Sequence, residues 1–371
     1  MHKTNGLLYF FFHARWSPVA RFVSLCVVCT TLIQGLSYVD VDVILLSSTH
    51  PIPPIISVLL IWSCSEWIIA LKSLHEEDQN DNKSNGGSLD HSQFFSQLPS
   101  YLKHLQDNEN HRTIIRLRHA ISRLLWVEGH LSERVTLGHA TESAAVQIGD
   151  TATQIAALID DIGWTLVPLK EYSKAESKIK HGLRQAENND MPYWIAKAYR
   201  HLSGISTMKK DTSRATDYIK KATDAAKKIT DSDKKIGMLA GIEYAQAIVS
   251  LLDGDIQDAM DYANKTDELR SQVGDDTRII RTLALKGKIE LEAGDVNAAN
   301  DYFRKGLTEA TSLGRRDEQI KNRKGLAEVA RRERNFQAAE EHDRIVEEMS
   351  IQTPVPFEFE NEALGILQNK E

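Results

Sequence analysis

Apolar side chains recur at helical spacing along most of the chain, in pairs of segments separated by a short turn. Between residues 111 and 350, an apolar segment before each turn is followed by a second one after it. This spacing predicts two helices per unit. Aligned on an alanine after the turn, the units repeat every 40, 44, 40 and 40 residues, at Ala175, Ala215, Ala259, Ala299 and Ala339. A fixed period of this length predicts an all-α array of helix-turn-helix repeats.

Six turns are predicted, and a small residue lies seven positions before each of them. Two antiparallel helices can approach closely only where a side chain at their crossing is small. The alanine five positions after the turn provides the matching small site, except in the first unit, where Arg134 takes its place. The turn residues are Gly129, Lys170, Lys210, Gly254, Gly294 and Arg334, and the small residues are Ser122, Gly163, Ser203, Ala247, Gly287 and Ala327.

This arrangement of turn and small residues resembles the tetratricopeptide repeat family over residues 111–350. The resemblance implies a right-handed α-solenoid of six stacked helix pairs. The family's shortest period is about 34 residues, and the longer units of this chain are similar to arrays found in signal-transduction ATPases and in some peptide-sensing regulators. Only Tyr218, Tyr262 and Tyr302 keep the aromatic residue after the turn, so the terminal units depart most from the family pattern.

In this family the first helix of each unit lines a concave groove, and the resemblance assigns lining residues by their distance from the turn. The implied lining is basic at both ends and apolar in the fourth unit, which predicts a protein or peptide partner with acidic flanks and an apolar centre. The competing interpretation is that these cations are ordinary solvated helix surface. The residues are Arg116, His119, Arg123, Trp126, Trp164, Lys197, Arg200, Tyr244, Ile248, Leu251, Arg281, Lys288, Lys321, Lys324 and Arg331.

The N-terminal segment, residues 1–73, reads as a membrane anchor. The apolar runs 19–38 and 54–71 are about as long as a bilayer-spanning helix requires. Lysine and arginine flank only their outer ends, so the positive-inside rule predicts a two-span hairpin with the repeats in the cytoplasm. A secretory signal peptide is the alternative. Residues 74–90 are polar and predict a flexible tether, and residues 91–110 predict an amphipathic helix that caps the array.

The distribution of charge narrows the choice of partner. The chain has a formal net charge of -7, but residues 111–350 carry none, which disfavours a general nucleic-acid role. The acidic residues are instead concentrated in residues 73–110 and in the C-terminal tail, residues 351–371. We expect this tail to cap the last unit, or alternatively to fold back into the groove.

Motifs for catalysis or metal binding are missing from the sequence. There is no phosphate-binding loop and no HExxH or GxSxG motif. The CVVC at 26–29 lies inside an apolar run, the histidines lack ligand spacing, and Asp160 and Asp161 read as solvated positions. The sequence therefore predicts a non-enzyme without cofactor or metal: a membrane-anchored adaptor for a protein or peptide. A sensor for a signalling peptide or small ligand is the alternative, and a nucleic-acid reader comes third.

Overall fold

The computed structural model describes residues 91–127, 129–273 and 276–352, and every regular element in these ranges is a helix. The predicted anchor with its spans 19–38 and 54–71, the tether, and residues 353–371 of the tail lie outside the described residues. The helices are α1 (His91–Asp107), α2 (His111–Val127), α3 (Leu131–Ile148), α4 (Thr151–Ala156), which continues as a π-helix (Ala157–Trp164), α5 (Tyr172–Asn188), α6 (Pro192–Met208), α7 (Thr212–Lys227), α8 (Ser232–Asp253), α9 (Ile256–Gln272), α10 (Asp276–Ala293), α11 (Val296–Ser312), α12 (Arg316–Arg332) and α13 (Phe336–Gln352).

The helices pack as six consecutive pairs. The pairs are α2 with α3, the α4 and π-helical segment with α5, α6 with α7, α8 with α9, α10 with α11, and α12 with α13, and each pair also packs on the next. Helix α1 packs against α3 and α2, at the start of the array. It runs through Pro99 without ending, because Phe95, Leu98 and Leu102 are all buried on the same side. The prediction of an all-α repeat architecture is confirmed.

The six predicted turn residues share one backbone conformation. Each has a positive φ, between 60° at Lys210 and 89° at Gly294. In the fourth unit, Gly254 N–H donates to the Leu251 carbonyl and Asp255 N–H to the Ser250 carbonyl, which closes the end of α8. This left-handed C-terminal cap favours glycine, so Lys170, Lys210 and Arg334 adopt it at a conformational cost of about 1 kcal/mol each.

Aspartates fix where several helices begin. The Asp211 carboxylate accepts the Arg214 N–H at the start of α7, and the Asp295 carboxylate accepts the Ala298 N–H at the start of α11. Asp150 caps α4 in the same way. Such a cap satisfies a backbone N–H that has no partner inside the helix. These caps fix the first turn of the helices that carry them.

The small residues lie where the helices cross. All six small residues that precede the turns are buried. An ideal Cβ placed on Gly287 of α10 would lie 2.8 Å from Cε1 of Phe303 on α11, and one placed on Gly325 of α12 would come closer still to the same ring. The Phe303 ring is therefore held between glycines of two neighbouring units, and only glycine leaves it enough space.

Among the described residues, one helix is long and apolar enough to cross a membrane. It is α8, with a mean hydropathy of 1.3 in its most apolar window. Helix α8 packs against α6, α7, α9 and α10, and a packed helix of a soluble protein passes the same test. It is therefore weak support for a membrane location.

Candidate partner-binding surface

The predicted lining residues lie on the first helices of the six units, and contacts join them from one unit to the next. The Asp160 carboxylate, four residues before the lining residue Trp164 on the π-helix, pairs with the lining residue Lys197 of α6. The Trp164 ring lies over Gly204 of α6, where an ideal Cβ would be 3.1 Å from the indole. Arg200 lies over Gly241 of α8 in the same way, and an ideal Cβ on Gly241 would be 3.3 Å from Arg200 Cδ. The lining positions of units two, three and four are therefore adjacent in space.

A buried imidazole anchors this surface at the second and third units. His201 Nε2 lies 3.1 Å from Asp160 Oδ1, and the imidazole stacks on Trp164 with ring centroids 4.2 Å apart. Burial, with the charge of Arg200, lowers the pKa of His201 to about 3, so the ring is neutral and donates its Nε2–H. Burial alone would raise the pKa of Asp160, but Lys197 and His201 hold it well below its usual range. The Asp160 carboxylate is thus a permanent anion beside Trp164.

The fourth unit contributes less apolar surface than the sequence predicts. Leu251 is 1% exposed and packs with Ala247 and Ala259 inside the helix pair, so it offers no area to a partner. Ile248 is half-buried against the same cluster. Tyr244 is half-buried as well. The Arg270 guanidinium stacks over its ring, with Cζ 5.2 Å from the ring centroid. The three apolar positions were predicted as anchors, and Leu251 is instead part of the core.

Cations of the fifth and sixth units are drawn to carboxylates inside the array. Glu318 of α12 is fully buried, and its Oε1 accepts from Arg281 Nε at 2.9 Å and lies 3.7 Å from Lys321 Nζ. Lys321 itself is buried, and Arg331 pairs with Asp343 of α13. The predicted basic end of the groove therefore has much less available positive charge than the sequence suggests. Lys324 lies half-buried on the same helix.

Lys288 is the exception in this part of the surface. It is half-buried, and no ion pair joins it to another described residue. Burial lowers its pKa to about 8, against the opposing effect of the Glu292 and Glu328 carboxylates. A fraction of Lys288 is therefore uncharged near neutral pH.

In the first unit, Arg116, His119 and Arg123 are exposed on α2, and Trp126 is half-buried. The Arg134 guanidinium stacks over the Trp126 ring, with Cζ 4.9 Å from the centroid. The cations at this end of the row are therefore more exposed than Lys321 at the other end.

The sequence interpretation missed a buried ionic network beside the lining row. Asp161, predicted as solvated, is 1% exposed and accepts hydrogen bonds from Arg118 Nε at 2.7 Å, from Arg134 Nη2 at 3.1 Å and from Ser122 Oγ. Arg134 also donates to the Asp160 carbonyl inside the π-helix and to Oγ1 of Thr165, the residue that follows this helix. Arginine in a position that is alanine in five other units was the available signal. The network joins units one and two.

No arrangement typical of metal catalysis accompanies this surface. Within the described ranges, no group of three or more histidine, cysteine, aspartate or glutamate side chains could hold a metal ion. The half-exposed groups in the middle of the row are an indole, a phenol, a guanidinium and a carboxylate. Such groups recognise other molecules by stacking and hydrogen bonding.

No protein-family model matches the chain, and no curated protein matches it significantly. Solved structures do match. The apo form of RapI superposes with a TM-score of 0.55 at 11% identity, covering 78% of this chain and 98% of that one. A Rap protein complexed with Competence and Sporulation Factor gives a TM-score of 0.53 at 11% identity, covering 78% and 94%. A signal-transduction ATPase with a tetratricopeptide repeat sensor from Pyrococcus horikoshii gives 0.48 at 16% identity, covering 71% and 41%. At these identities the similarity concerns the fold alone, and the described part of the chain has the tetratricopeptide-type repeat fold that its sequence predicts.

Proposed function

We propose that the row of first-helix residues is a binding surface for an extended protein or peptide partner, and that the protein is a non-enzymatic adaptor. The observation that carries the proposal is that lining residues contact first helices of neighbouring units: Lys197 contacts Asp160, Trp164 contacts Gly204, and Arg200 contacts Gly241. These contacts build a continuous surface with half-exposed Trp164 and Tyr244. The similar Rap structure, solved in complex with Competence and Sporulation Factor, supports a binding role for a fold of this kind.

The chemistry of the surface refines the expected partner. Units two to four offer stacking and hydrogen-bonding groups, so we propose a segment with aromatic and polar side chains at its centre. An acidic flank is proposed only beside Arg116 and Arg123 of the first unit, because both are exposed, whereas at the other end Lys321 is buried and Arg281 pairs with the buried Glu318.

Selection of a displayed random peptide library on the full chain tests the proposal. We expect an enriched peptide whose affinity falls about tenfold or more in Trp164→Ala and in Tyr244→Ala, because buried aromatic contacts dominate such interfaces. Phe336→Ala is the matched control, since Phe336 is an exposed aromatic residue on α13, away from the row. Enrichment of no peptide, or equal affinity of all three variants, would reject the surface.

A sensor is the second candidate, and the similarity to the Rap complex favours it. A sensor must bind its ligand with different affinity in two conformations. A change in the radius of gyration on peptide binding, measured by small-angle scattering, would support the sensor. An unchanged radius would support the adaptor.

We also propose that residues 19–38 and 54–71 anchor the repeats at the cytoplasmic face of a membrane, on the basis of the two apolar runs. The native cysteines Cys26, Cys29 and Cys64 would first be changed to serine. In intact cells, an impermeant thiol reagent should then label a cysteine introduced at Ser48 but not one at Ser88. Labelling at Ser88 would contradict this topology and favour secretion.

A further inference from the structure

Three cations from three successive elements converge on one carboxylate, away from the proposed partner-binding row. Glu176 of α5 accepts from Lys180 Nζ at 2.7 Å, from Lys209 Nζ at 2.9 Å and from Arg214 Nη2 at 2.7 Å. Lys180 is on α5, Lys209 follows the last residue of α6, and Arg214 is on α7. The cluster therefore has a surplus of two positive charges around a single anion.

The donors of this cluster exceed what one carboxylate can accept. Each ammonium group has three N–H donors and the guanidinium has five, whereas Glu176 has two oxygens. Arg214 also donates to the Tyr218 hydroxyl at 3.1 Å. The Lys180, Lys209 and Arg214 side chains are each about two-fifths exposed, while that of Glu176 is mostly covered. The remaining donors are accessible to a second anion.

A depression of about 350 Å³ adjoins the carboxylate. It is lined by Ser173, Glu176, Ser177, Lys180 and Arg184, so Glu176 and Lys180 belong to both the cluster and the depression, and two hydroxyl groups and a further guanidinium lie beside them. This volume lies within the range of small-molecule sites. The surrounding sequence is also basic: residues 170–235 hold sixteen lysines and arginines against nine acidic residues, although the array as a whole is neutral.

We propose that this cluster is a binding site for a phosphate monoester, the group carried by a phosphorylated side chain. The surplus of two positive charges matches the dianion that a monoester carries above a pH of about 6. Several convergent N–H donors suit its three terminal oxygens, and the serine hydroxyls can donate as well. A carboxylate offers one negative charge and two oxygens, so it satisfies this cluster less well. In the absence of the ligand, Glu176 serves as the internal anion.

This arrangement gives Glu176 an unusual role, because it competes with the ligand for the same donors. Burial alone would raise its pKa, but hydrogen bonds from Lys180 and Lys209 lower it to about 2, so it remains ionised. Removing its charge should therefore tighten phosphate binding. A purely structural ion-pair cluster would show no such gain.

The test is a calorimetric titration of the full chain, in a neutral detergent at pH 7.5, with phenyl phosphate as the probe. We expect saturable binding that is weakened about fivefold or more in Lys209→Gln and Arg214→Gln, and tightened by a similar factor in Glu176→Gln, since charge-assisted hydrogen bonds are made or released. Lys220→Gln is the matched control, because Lys220 is an exposed lysine on α7 with no contact to Glu176. Its affinity should equal that of the parent.

Each other outcome contradicts a stated part of the proposal. Absence of saturable binding in both the parent and Glu176→Gln would overturn the site, and if Glu176→Gln does not fold, the Lys209→Gln comparison decides. Equal weakening in Lys220→Gln and Lys209→Gln would show non-specific attraction to a basic surface. Benzoate binding as tightly as phenyl phosphate would overturn the assignment to phosphate, and equal affinity for inorganic phosphate would overturn the assignment to an ester. No peptide is used, so failure here is independent of the proposed function.

Discussion

Replacing Asp161 with alanine is expected to destabilise the repeat array by about 3–5 kcal/mol, the usual cost of removing one partner from a buried ion pair. The carboxylate is 1% exposed and holds Arg118 and Arg134. Without it, the Arg134 guanidinium stays buried without a counter-ion. Burial lowers the pKa of this arginine, because its charged form is poorly solvated there.

Urea unfolding of a chain that begins at residue 89, followed by circular dichroism, measures the effect. Asp217→Ala is the control, because Asp217 is an exposed aspartate on α7, and such changes usually stay within about 0.5 kcal/mol. Combining Asp161→Ala with Arg134→Ala should recover part of the loss, since the second change removes the uncompensated charge and restores the alanine of the other units. Strictly additive losses would contradict the network.

Replacing Gly287 with leucine is the second change with a large expected effect. The Phe303 ring occupies the space that any side chain would need, and an ideal Cβ already lies 2.8 Å from Cε1. Overpacking of this kind typically costs about 1–3 kcal/mol. Gly325→Ala should also destabilise the array, because the Phe303 ring of the neighbouring unit occupies the space that the added methyl group needs.

The matched control for both changes is Gly237→Ala. Gly237 lies within α8, and nothing is within 4 Å of its ideal Cβ. Alanine favours a helix over glycine by about 1 kcal/mol, so this variant should be as stable as the parent or more so. If Gly287→Leu unfolds at the parent's urea midpoint, the helix crossing assigned to the fifth unit is wrong.

The helix crossings could be predicted from sequence because they depend on local spacing. A small residue seven positions before a turn, such as Gly287, is buried in all six units, and the six predicted turn residues share a left-handed conformation. Both features follow from the geometry of two neighbouring helices. The two features recur in every unit, so a wrong assignment in one unit would stand out by comparison with the other five.

The electrostatics of the surface could not be predicted in the same way. The partners of Asp160 and Asp161 are separated from them by 27 to 43 residues, and Glu318 reaches Arg281 across 37 residues. Single-sequence charge patterns do not show which side chains meet across units. No local sequence pattern indicates the π-helix either, although its Asp160 and Asp161 carboxylates pair with side chains of both neighbouring units. Lining cations were therefore counted as available when several are paired.

The ionic network also affects how the array folds. In a solenoid, stability is approximately the sum of unit terms and nearest-neighbour terms. Asp161 adds to the coupling between the first and second units through Arg118 and Arg134, and Asp160 adds to the coupling between the second and third through Lys197 and His201. One pair of adjacent carboxylates thus ties three consecutive units together. These units should lose their structure in a single cooperative step, so partial unfolding of the array should leave them either all folded or all open.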